Sequence, residues 1–455
     1  MSVETDILIV GAGPAGIVCG VTARKYYPGK KITVMKNIEQ GVVPCGIPYM
    51  FASLNSPEEN KLGTASLEKN KIDVVIDEAI RIDRPARKVA TKSGNECFYE
   101  KLILATGSSP IIPPIEGVDK KGIYPIHKDM EYLKLSIEDI KKAKNVLIVG
   151  GGFIGVEFAD ELSSMEGLNV HLVEMLPDIL ANSFDPEFSG MARTRLEAKG
   201  VNVLTDVRVD EFTGEGKVEK AIFSNGDEVP VDAVILGIGA FPNTALAVDA
   251  GLELGHSKGI WVDEYMRTVD PDIFAVGDCA GKRDFYTRKV TPVMLASTAT
   301  AEARIAGANL YRLKVVRENK GTIAIYSTYV DGLVLGSAGL TEGSARREGF
   351  EIVAGSVEVM DKHPAAMPDV SQVKIKLIFS KQSGIIMGGQ VAGGMSAGEI
   401  INIIGMAIQQ RVSLSELETL QMATHPYLTS APTMYPLVLA AQNVKEVEDV
   451  LEQKV

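Results

Sequence analysis

Apolar runs that stop at a glycine recur along this chain. Ile7-Leu-Ile-Val10 runs into Gly11, Leu102-Ile-Leu-Ala105 into Thr106-Gly107, Val146-Leu-Ile-Val149 into Gly150, and Ile273-Phe-Ala-Val276 into Gly277. Four apolar residues without polar interruption read as short strands buried in a core. The first run leads into an Ala-rich helix to about Tyr27 and then a strand, Lys31 to Met35; the third leads into a helix and a strand, Val170 to Glu174. The pattern changes after about residue 323. Val373-Lys-Ile-Lys-Leu-Ile-Phe379 largely alternates, as expected of an antiparallel strand with one wet face. Ile400, Ile403, Ile404, Ala407 and Ile408 recur at helical spacing and make a core-facing stripe.

Two of the glycine turns share a spacing that carries chemistry. Gly11-x-Gly13-x-x-Gly16 and Gly150-x-Gly152-x-x-Gly155 each lie between a strand and a helix. In that setting the glycines allow a tight turn and let a dinucleotide pyrophosphate reach the helix N-terminus. Nineteen residues past the third glycine the copies differ, with Glu174 in the second and Met35, followed by Lys36, in the first. Glu174 is an acceptor for both hydroxyls of an adenosine ribose and would repel a 2'-phosphate, so NADH is favoured over NADPH. Met35 cannot accept a hydroxyl, so either Glu39 reaches in or backbone groups serve. Two dinucleotide folds in one chain imply two dinucleotides, with hydride exchange between them.

Between the first fold and the next strands lies Gly41-Val-Val-Pro-Cys-Gly-Ile-Pro-Tyr-Met50. Pro44 and Pro48 fix their own φ, and Gly46 admits close backbone approach, so the segment is a rigid mount for Cys45. The position is expected to open a helix, whose dipole and unpaired amides would favour the thiolate. The competing reading is a small buried apolar side chain. Only Cys19, Cys97 and Cys279 accompany it, with no CxxC pair, so neither a disulfide framework nor a metal site is expected.

Bulk properties narrow the partners. At 455 residues the chain suits about three domains, and its 44 glycines suit α/β architecture with tight backbone approaches. A formal charge of -12, from 47 basic and 59 acidic residues, disfavours nucleic acid and anionic membranes, leaving small-molecule substrates. Glu4 and Asp6 stand where a secretory signal would be basic, and no apolar run nears the ~20 residues of a membrane span, so a reducing cytoplasm is expected.

The order GxGxxG, Ala105-Thr106-Gly107, GGGxIGxE and Gly277-Asp278-Cys279 resembles the flavin-dependent pyridine nucleotide-disulfide oxidoreductases, from about Thr5 to about Val444. The lone cysteine in Pro-Cys45-Gly-Ile-Pro-Tyr is similar to the single-cysteine branch, which includes CoA-disulfide, persulfide and CoA-dependent sulfur reductases and NADH oxidases and peroxidases. The resemblance implies an α/β chain of two Rossmann-like domains, one for FAD (1–112 and 245–322) and one for NAD (113–244), plus an α+β C-terminal dimerisation domain (323–455). The Pro-rich Ser109–Pro114 and the Phe241-Pro-Asn-Thr turn mark the crossings.

Carried over position by position, FAD falls to Gly11, Gly13, Pro14, Ala15 and Gly16, with Met35 and Lys36 at the strand end and Ala79 near the adenine. Ala105, Thr106 and Gly107 would lie near the pyrophosphate, and Gly277 and Asp278 near the ribityl chain. Leu295 and Ala296 open the helix directed at the flavin pyrimidine edge. NADH falls to Gly150, Gly152, Phe153, Ile154, Gly155, Glu157, Glu174 and Gly239. Phe153 matches the aromatic gate that swings aside for nicotinamide, and Glu157 lies beneath it. A two-fold homodimer would bring His425 of the partner subunit to Cys45 as an acid; His363 is a weaker candidate.

Departures from the family bear on the substrate. CoA-disulfide reductases carry Ser and Asn where Gly41 and Pro44 stand, and paired tyrosines where Ala366 and Met367 stand; Thr424 replaces their near-terminal Tyr. The Thr424-His425-Pro426-Tyr427 run lacks the Glu that ends the His-Pro motif of two-cysteine reductases, with Ser430 in its place. Peroxidases and water-forming oxidases place a His where this chain has Pro14. The leading expectation is therefore an NADH- and FAD-dependent reductase of a small disulfide, persulfide or polysulfide, with CoA derivatives among the candidate substrates. An NADH oxidase and a non-catalytic NADH-responsive scaffold are the rivals.

Overall fold

A computed structural model describes residues 2–444. The chain divides into two compact units. The first holds residues 2–111, Pro125–Glu138 and Gly239–Thr322; the second holds Ile112–Tyr124, Asp139–Ile238 and residues 323–444.

The first unit is built on a five-stranded parallel sheet in the order Ile273–Ala275, Lys101–Leu104, Ile7–Val10, Ile32–Lys36, Asp73–Ile76. Ile7, Leu8, Ile9, Leu102, Ile103, Leu104 and Phe274 are fully buried, which is why these runs carry no polar alternation. Helix Pro14–Tyr26 packs against helix Ala296–Ala308. Their alanines and glycines allow this: a Cβ on Gly307 would stand 2.8 Å from the Cys19 carbonyl. A four-stranded sheet, Ser2–Glu4, Glu96–Phe98, Lys88–Thr91 and Ala79–Asp83, completes the unit.

The expected 113–244 segment is not continuous, because Pro125–Glu138 folds with the first unit. Asp129 bridges antiparallel to Gly41, and Lys134 pairs with Glu58 at 2.9 Å. Ser108–Pro110 pairs antiparallel with Ala240–Pro242, and the Asn243 side chain ties the joint, donating to the Thr106 carbonyl at 2.9 Å.

The second unit has a parallel core of Ala233–Leu236, Asn145–Val149, Asn169–Val173 and Asn202–Leu204, and a five-stranded antiparallel sheet. The latter runs in the order Ile325–Val330, Leu333–Gly339, Ile386–Gly393, Gln372–Ser380, Ile352–Met360. Helix Ala397–Gln410 buries Ile401, Ile404, Ala407 and Ile408, with Ile400 and Ile403 half-buried.

The wet face expected for Val373–Phe379 is absent, since Lys376 is buried. Its ammonium meets Asp185 at 3.0 Å, Glu187 at 2.8 Å and Glu342 at 2.7 Å, while Gln390 donates to Asp185 at 2.6 Å. Helix Pro186–Ala198, with Asp185 as its N-cap, and helix Glu342–Arg347 bring these acids to a position that a lone strand pattern reads as solvent. Burial alone would lower the Lys376 pKa, but the three carboxylates raise it overall. Removing one partner of a buried charge network leaves the others uncompensated. Lys376→Met is therefore expected to cost about 2–4 kcal/mol, read from urea unfolding, and Asp185→Asn in the same chain should recover part of the loss.

Candidate functional site: two dinucleotide turns and an exposed cysteine

In both fingerprints the first and third glycines meet through backbone. A Cβ on Gly16 would stand 1.9 Å from the Gly11 carbonyl oxygen, and one on Gly155 1.8 Å from that of Gly150. Gly11 and Gly150 have φ of 114° and 104°, in the region that disfavours side chains. The middle glycines differ: around Gly13 and Gly152 a Cβ would meet nothing within 4 Å. Each is also the N-cap of its helix, with no side-chain cap and no acid in the first turn. Open space beside unsatisfied amides at a positive helix end is what a pyrophosphate needs, so both turns fit a dinucleotide. Pro14 and Ala15 open the first helix, and Phe153 and Ile154 the second.

Strand register corrects one expectation. Gly11 N–H donates to the Met35 carbonyl at 2.8 Å, and Gly150 N–H to that of Val173 at 2.8 Å. The structural counterpart of Glu174 is therefore Lys36, not Met35. The first unit carries one more residue between its third glycine and the strand end, so counting from the glycine slipped by one. Met35 is buried in the core and offers only its backbone. Lys36 Nζ donates to the Glu39 carbonyl at 2.7 Å. Glu174 is pinned by two backbone donors, Gly151 N–H at 2.6 Å and Leu176 N–H at 2.8 Å.

Several other candidates of the first unit follow the ends of strands Lys101–Leu104 and Ile273–Ala275, neighbours in the same sheet. Ala105 N–H donates to the Val10 carbonyl at 2.8 Å, and Thr106 Oγ1 to the Asn243 carbonyl at 2.7 Å. Gly107 accepts from Asn243 N–H, and Gly239 accepts from Ile111 N–H. Asp278 follows Gly277, whose φ is 78°, and accepts from Ser108 at 2.7 Å and Lys128 at 3.2 Å. Leu295 and Ala296 open a helix with no side-chain cap and no acid in its first turn. Ala79 begins an edge strand beside Thr91. Sequence reasoning missed Ser108 and Lys128, which reach Asp278 from distant segments and have no motif.

Cys45 does not open an α-helix. It lies in the first of two successive 3-10 turns, Pro44–Gly46 and Pro48–Met50. A single short turn has too few aligned peptides for a macrodipole, so that argument for the thiolate falls away. The rigid mount remains. Val43 N–H donates to the Asn60 carbonyl at 2.9 Å, and Asn60 Nδ2 returns a bond to the Val43 carbonyl at 3.0 Å. A Cβ on Gly46 would meet Asn60 Oδ1 at 2.0 Å, and Ile47, Met50 and Phe51 are buried beneath the loop. Cys45 is exposed, whereas Cys19, Cys97 and Cys279 are buried. Burial pushes the Cys19 thiol up to about 12 and raises Cys97 and Cys279, keeping those three protonated.

In the second unit Phe153 stacks on Tyr326, with ring centroids 4.6 Å apart and planes 23° from parallel. One turn on, Glu157 accepts from Thr328 Oγ1 at 2.9 Å. Burial pushes the Glu157 carboxyl up to about 7, only partly offset by that hydrogen bond. His425 is exposed and its Nδ1 accepts from Tyr427 N–H at 3.3 Å, leaving Nε2 to carry hydrogen. His363 is half-buried and tied to the same loop, with Nδ1 2.9 Å from the Thr429 carbonyl and its N–H donating to Pro426.

Comparison with known proteins places the chain in a family. Residues 5–303 match the pyridine nucleotide-disulphide oxidoreductase family, and residues 325–435 match its dimerisation domain. The chain belongs to that family. It is a pyridine nucleotide-dependent flavin oxidoreductase, working with FAD and NADH. An NADH oxidase of Methanocaldococcus jannaschii is 32% identical, over 96% of this chain and 98% of that one. An NAD(P)H coenzyme A polysulfide/persulfide reductase of Pyrococcus horikoshii is 27% identical, over 98% and 99%. The structure of an NAD-dependent persulfide reductase from A. fulgidus superposes with a TM-score of 0.90 at 28% identity, covering 99% of this chain and 84% of that one. Among the described residues no helix is long and apolar enough to cross a membrane.

Glu157 gives a pH signature. The folded protein keeps a proton on this carboxyl that the unfolded chain loses above its ordinary value near 4.5. More protons bound in the folded state means that stability falls as pH rises from about 4.5 to about 7 and is flat beyond. The loss is on the order of 1–3 kcal/mol. Glu157→Gln should flatten the thermal midpoint of the holoenzyme across that window, measured by calorimetry from pH 4.5 to 8.

Proposed function

We propose that this enzyme reduces a small disulfide, persulfide or polysulfide with NADH, through Cys45. The observation that carries this reading is the single exposed cysteine on a rigid double turn, in the same unit as the first dinucleotide turn. The flavin, when bound, supplies the two-electron relay between nicotinamide and sulfur. We assign it to Gly11, Gly13–Gly16, Thr106, Gly107 and Asp278, and NADH to Gly150–Gly155, Glu157 and Glu174, on domains divided as the sequence suggests except that Pro125–Glu138 goes with the first.

In this reading Cys45 thiolate attacks the inner sulfur of a persulfide R–S–SH. The S–S bond breaks, the outer sulfur leaves as sulfide, and a mixed disulfide Cys45–S–S–R forms. Two electrons from NADH then return Cys45 to thiolate and release R–S⁻, so that R–S–SH, NADH and H⁺ give R–SH, H₂S and NAD⁺. The enzyme acts as a cytoplasmic homodimer, and His425 of the partner subunit donates the proton to the leaving thiolate through Nε2. The Pyrococcus and A. fulgidus relatives named for persulfide favour sulfur as the acceptor, and CoA persulfide is the first candidate.

Oxygen is the second acceptor to consider, because the M. jannaschii relative is named an NADH oxidase. Pro14 offers no proton donor to a peroxide oxygen, which favours sulfur. Cys45→Ser separates the two. With CoA persulfide or polysulfide, its steady-state turnover should fall at least about a thousandfold, the loss of the nucleophile, while NADH still bleaches the flavin in anaerobic single turnover. Undiminished sulfur reduction by the serine variant refutes the proposal.

Nucleotide choice is tested at Glu174. A charged hydrogen bond to the ribose is worth about 1.5–3 kcal/mol. Glu174→Ala should therefore lower kcat/KM for NADH about ten- to a hundredfold and narrow the preference over NADPH, read from parallel steady-state titrations.

A further inference from the structure

Helix Phe153–Ser163 and strand Ile325–Val330 meet in a pairwise way. Phe153 and Glu157 are four residues apart and share one helix face; Tyr326 and Thr328 are two apart and share one strand face. The two periods coincide at the contact, so that the Phe153 ring lies on the Tyr326 ring and the Glu157 carboxyl receives the Thr328 hydroxyl. Tyr326 and Thr328 belong to the segment that matches the dimerisation domain, whereas Phe153 and Glu157 open the helix of the second dinucleotide turn.

We infer that Tyr326 is a positioning residue for the nicotinamide gate: its ring holds Phe153 in the resting position, and NADH binding must break that stack. The inference rests on the reading of Phe153 as the gate. A ring that has to swing aside leaves the stack it occupies, and the stacking free energy is subtracted from the affinity for NADH. The hold is specific to Tyr326. Phe184 is a second aromatic neighbour of Phe153, but its centroid is 6.0 Å away with planes 57° apart, a looser contact than the 4.6 Å stack. Thr328 hydrogen-bonds a second point of the same helix face, so rotation of the Phe153 side chain breaks fewer contacts than a roll of the whole helix.

Losing an aromatic stack changes an equilibrium roughly two- to tenfold. The test measures the reductive half-reaction alone. Holoenzyme variants are mixed anaerobically with NADH, and the rate of flavin bleaching against NADH concentration gives the dissociation constant for NADH and the limiting rate. Tyr326→Leu, which removes the ring and keeps apolar volume, should tighten NADH binding roughly two- to tenfold. Tyr326→Phe, which keeps the ring, should match the parent. Phe153→Leu should also tighten NADH binding, and adding Tyr326→Leu to it should change nothing further. Flavin absorbance and the thermal midpoint report folding for each variant, and Phe153→Leu probes the stack from its other side should Tyr326→Leu fold poorly.

An unchanged or weakened NADH dissociation constant in Tyr326→Leu overturns the inference, as does full additivity of the two leucine changes. If instead Phe153→Leu alone leaves NADH binding untouched, the gate reading fails, and the proposal for Tyr326 falls with it. Sulfur reduction through Cys45 is measured separately in the oxidative half-reaction and is independent of both outcomes.

Discussion

The contact on which most of this structure depends is a carbonyl oxygen pressed against a glycine Cα. Gly11 against Gly16 and Gly150 against Gly155 leave no room for a Cβ. That closeness turns each strand sharply into its helix and points the helix N-terminus along the sheet edge. It also leaves the middle glycine facing empty space, so a ligand pyrophosphate can take the amides that the helix leaves unpaired. The other candidate groups are arranged around these two turns: Ala105 and Gly277 end neighbouring strands of the first sheet, and Glu174 is pinned to the second turn by the Gly151 amide.

Buried charge in this protein holds backbone and packing in place. Lys282 and Glu302, almost fully buried and 2.8 Å apart, grip Gly277 from both sides. Glu302 accepts its N–H at 2.9 Å, and Lys282 donates to its carbonyl at 2.7 Å. Burial raises the Glu302 pKa while Lys282 pulls it back. Such a pair contributes little net stability, because desolvation offsets the attraction. What it fixes is the orientation of the peptides around a left-handed residue, and hence the aim of Asp278. Lys376 with Asp185, Glu187 and Glu342 does the equivalent for the second unit, joining a helix to the middle of the antiparallel sheet.

The four cysteines show how environment divides one residue type. Three are buried, and loss of solvent holds their thiols protonated; Cys279 also places its sulfur 3.3 Å from two carbonyl oxygens. Cys45 is the exposed one, held by prolines, by Asn60 and by the buried side chains of Ile47, Met50 and Phe51. With no α-helix behind Cys45, what its setting offers a nucleophile is access and rigidity. A sulfur that stays put can meet a second sulfur in line, and attack on a disulfide requires that geometry.

Features set by local contacts were legible in the sequence. The glycine spacings, the apolar runs and the stripe around Ile404 each follow from a short-range rule, and their strands and helices sit within a residue or so of those expected; the helix expected at Cys45 is instead a pair of 3-10 turns. Motif order likewise led to the family. What the sequence by itself could not determine depended on counting across a loop or on segments far apart in the chain. One extra residue between Gly16 and the strand end puts Lys36 where Glu174 sits in the second fold, and only strand register reveals it. The Val373–Phe379 alternation misled because Asp185, Glu187 and Glu342, remote in sequence, neutralise a buried Lys376. Tyr326 beneath Phe153 and Ser108 beside Asp278 carry no local signal, since each is defined by a partner well over a hundred residues away. Periodicity and spacing encode what a chain does with its neighbours; tertiary packing alone decides which distant side chain meets it.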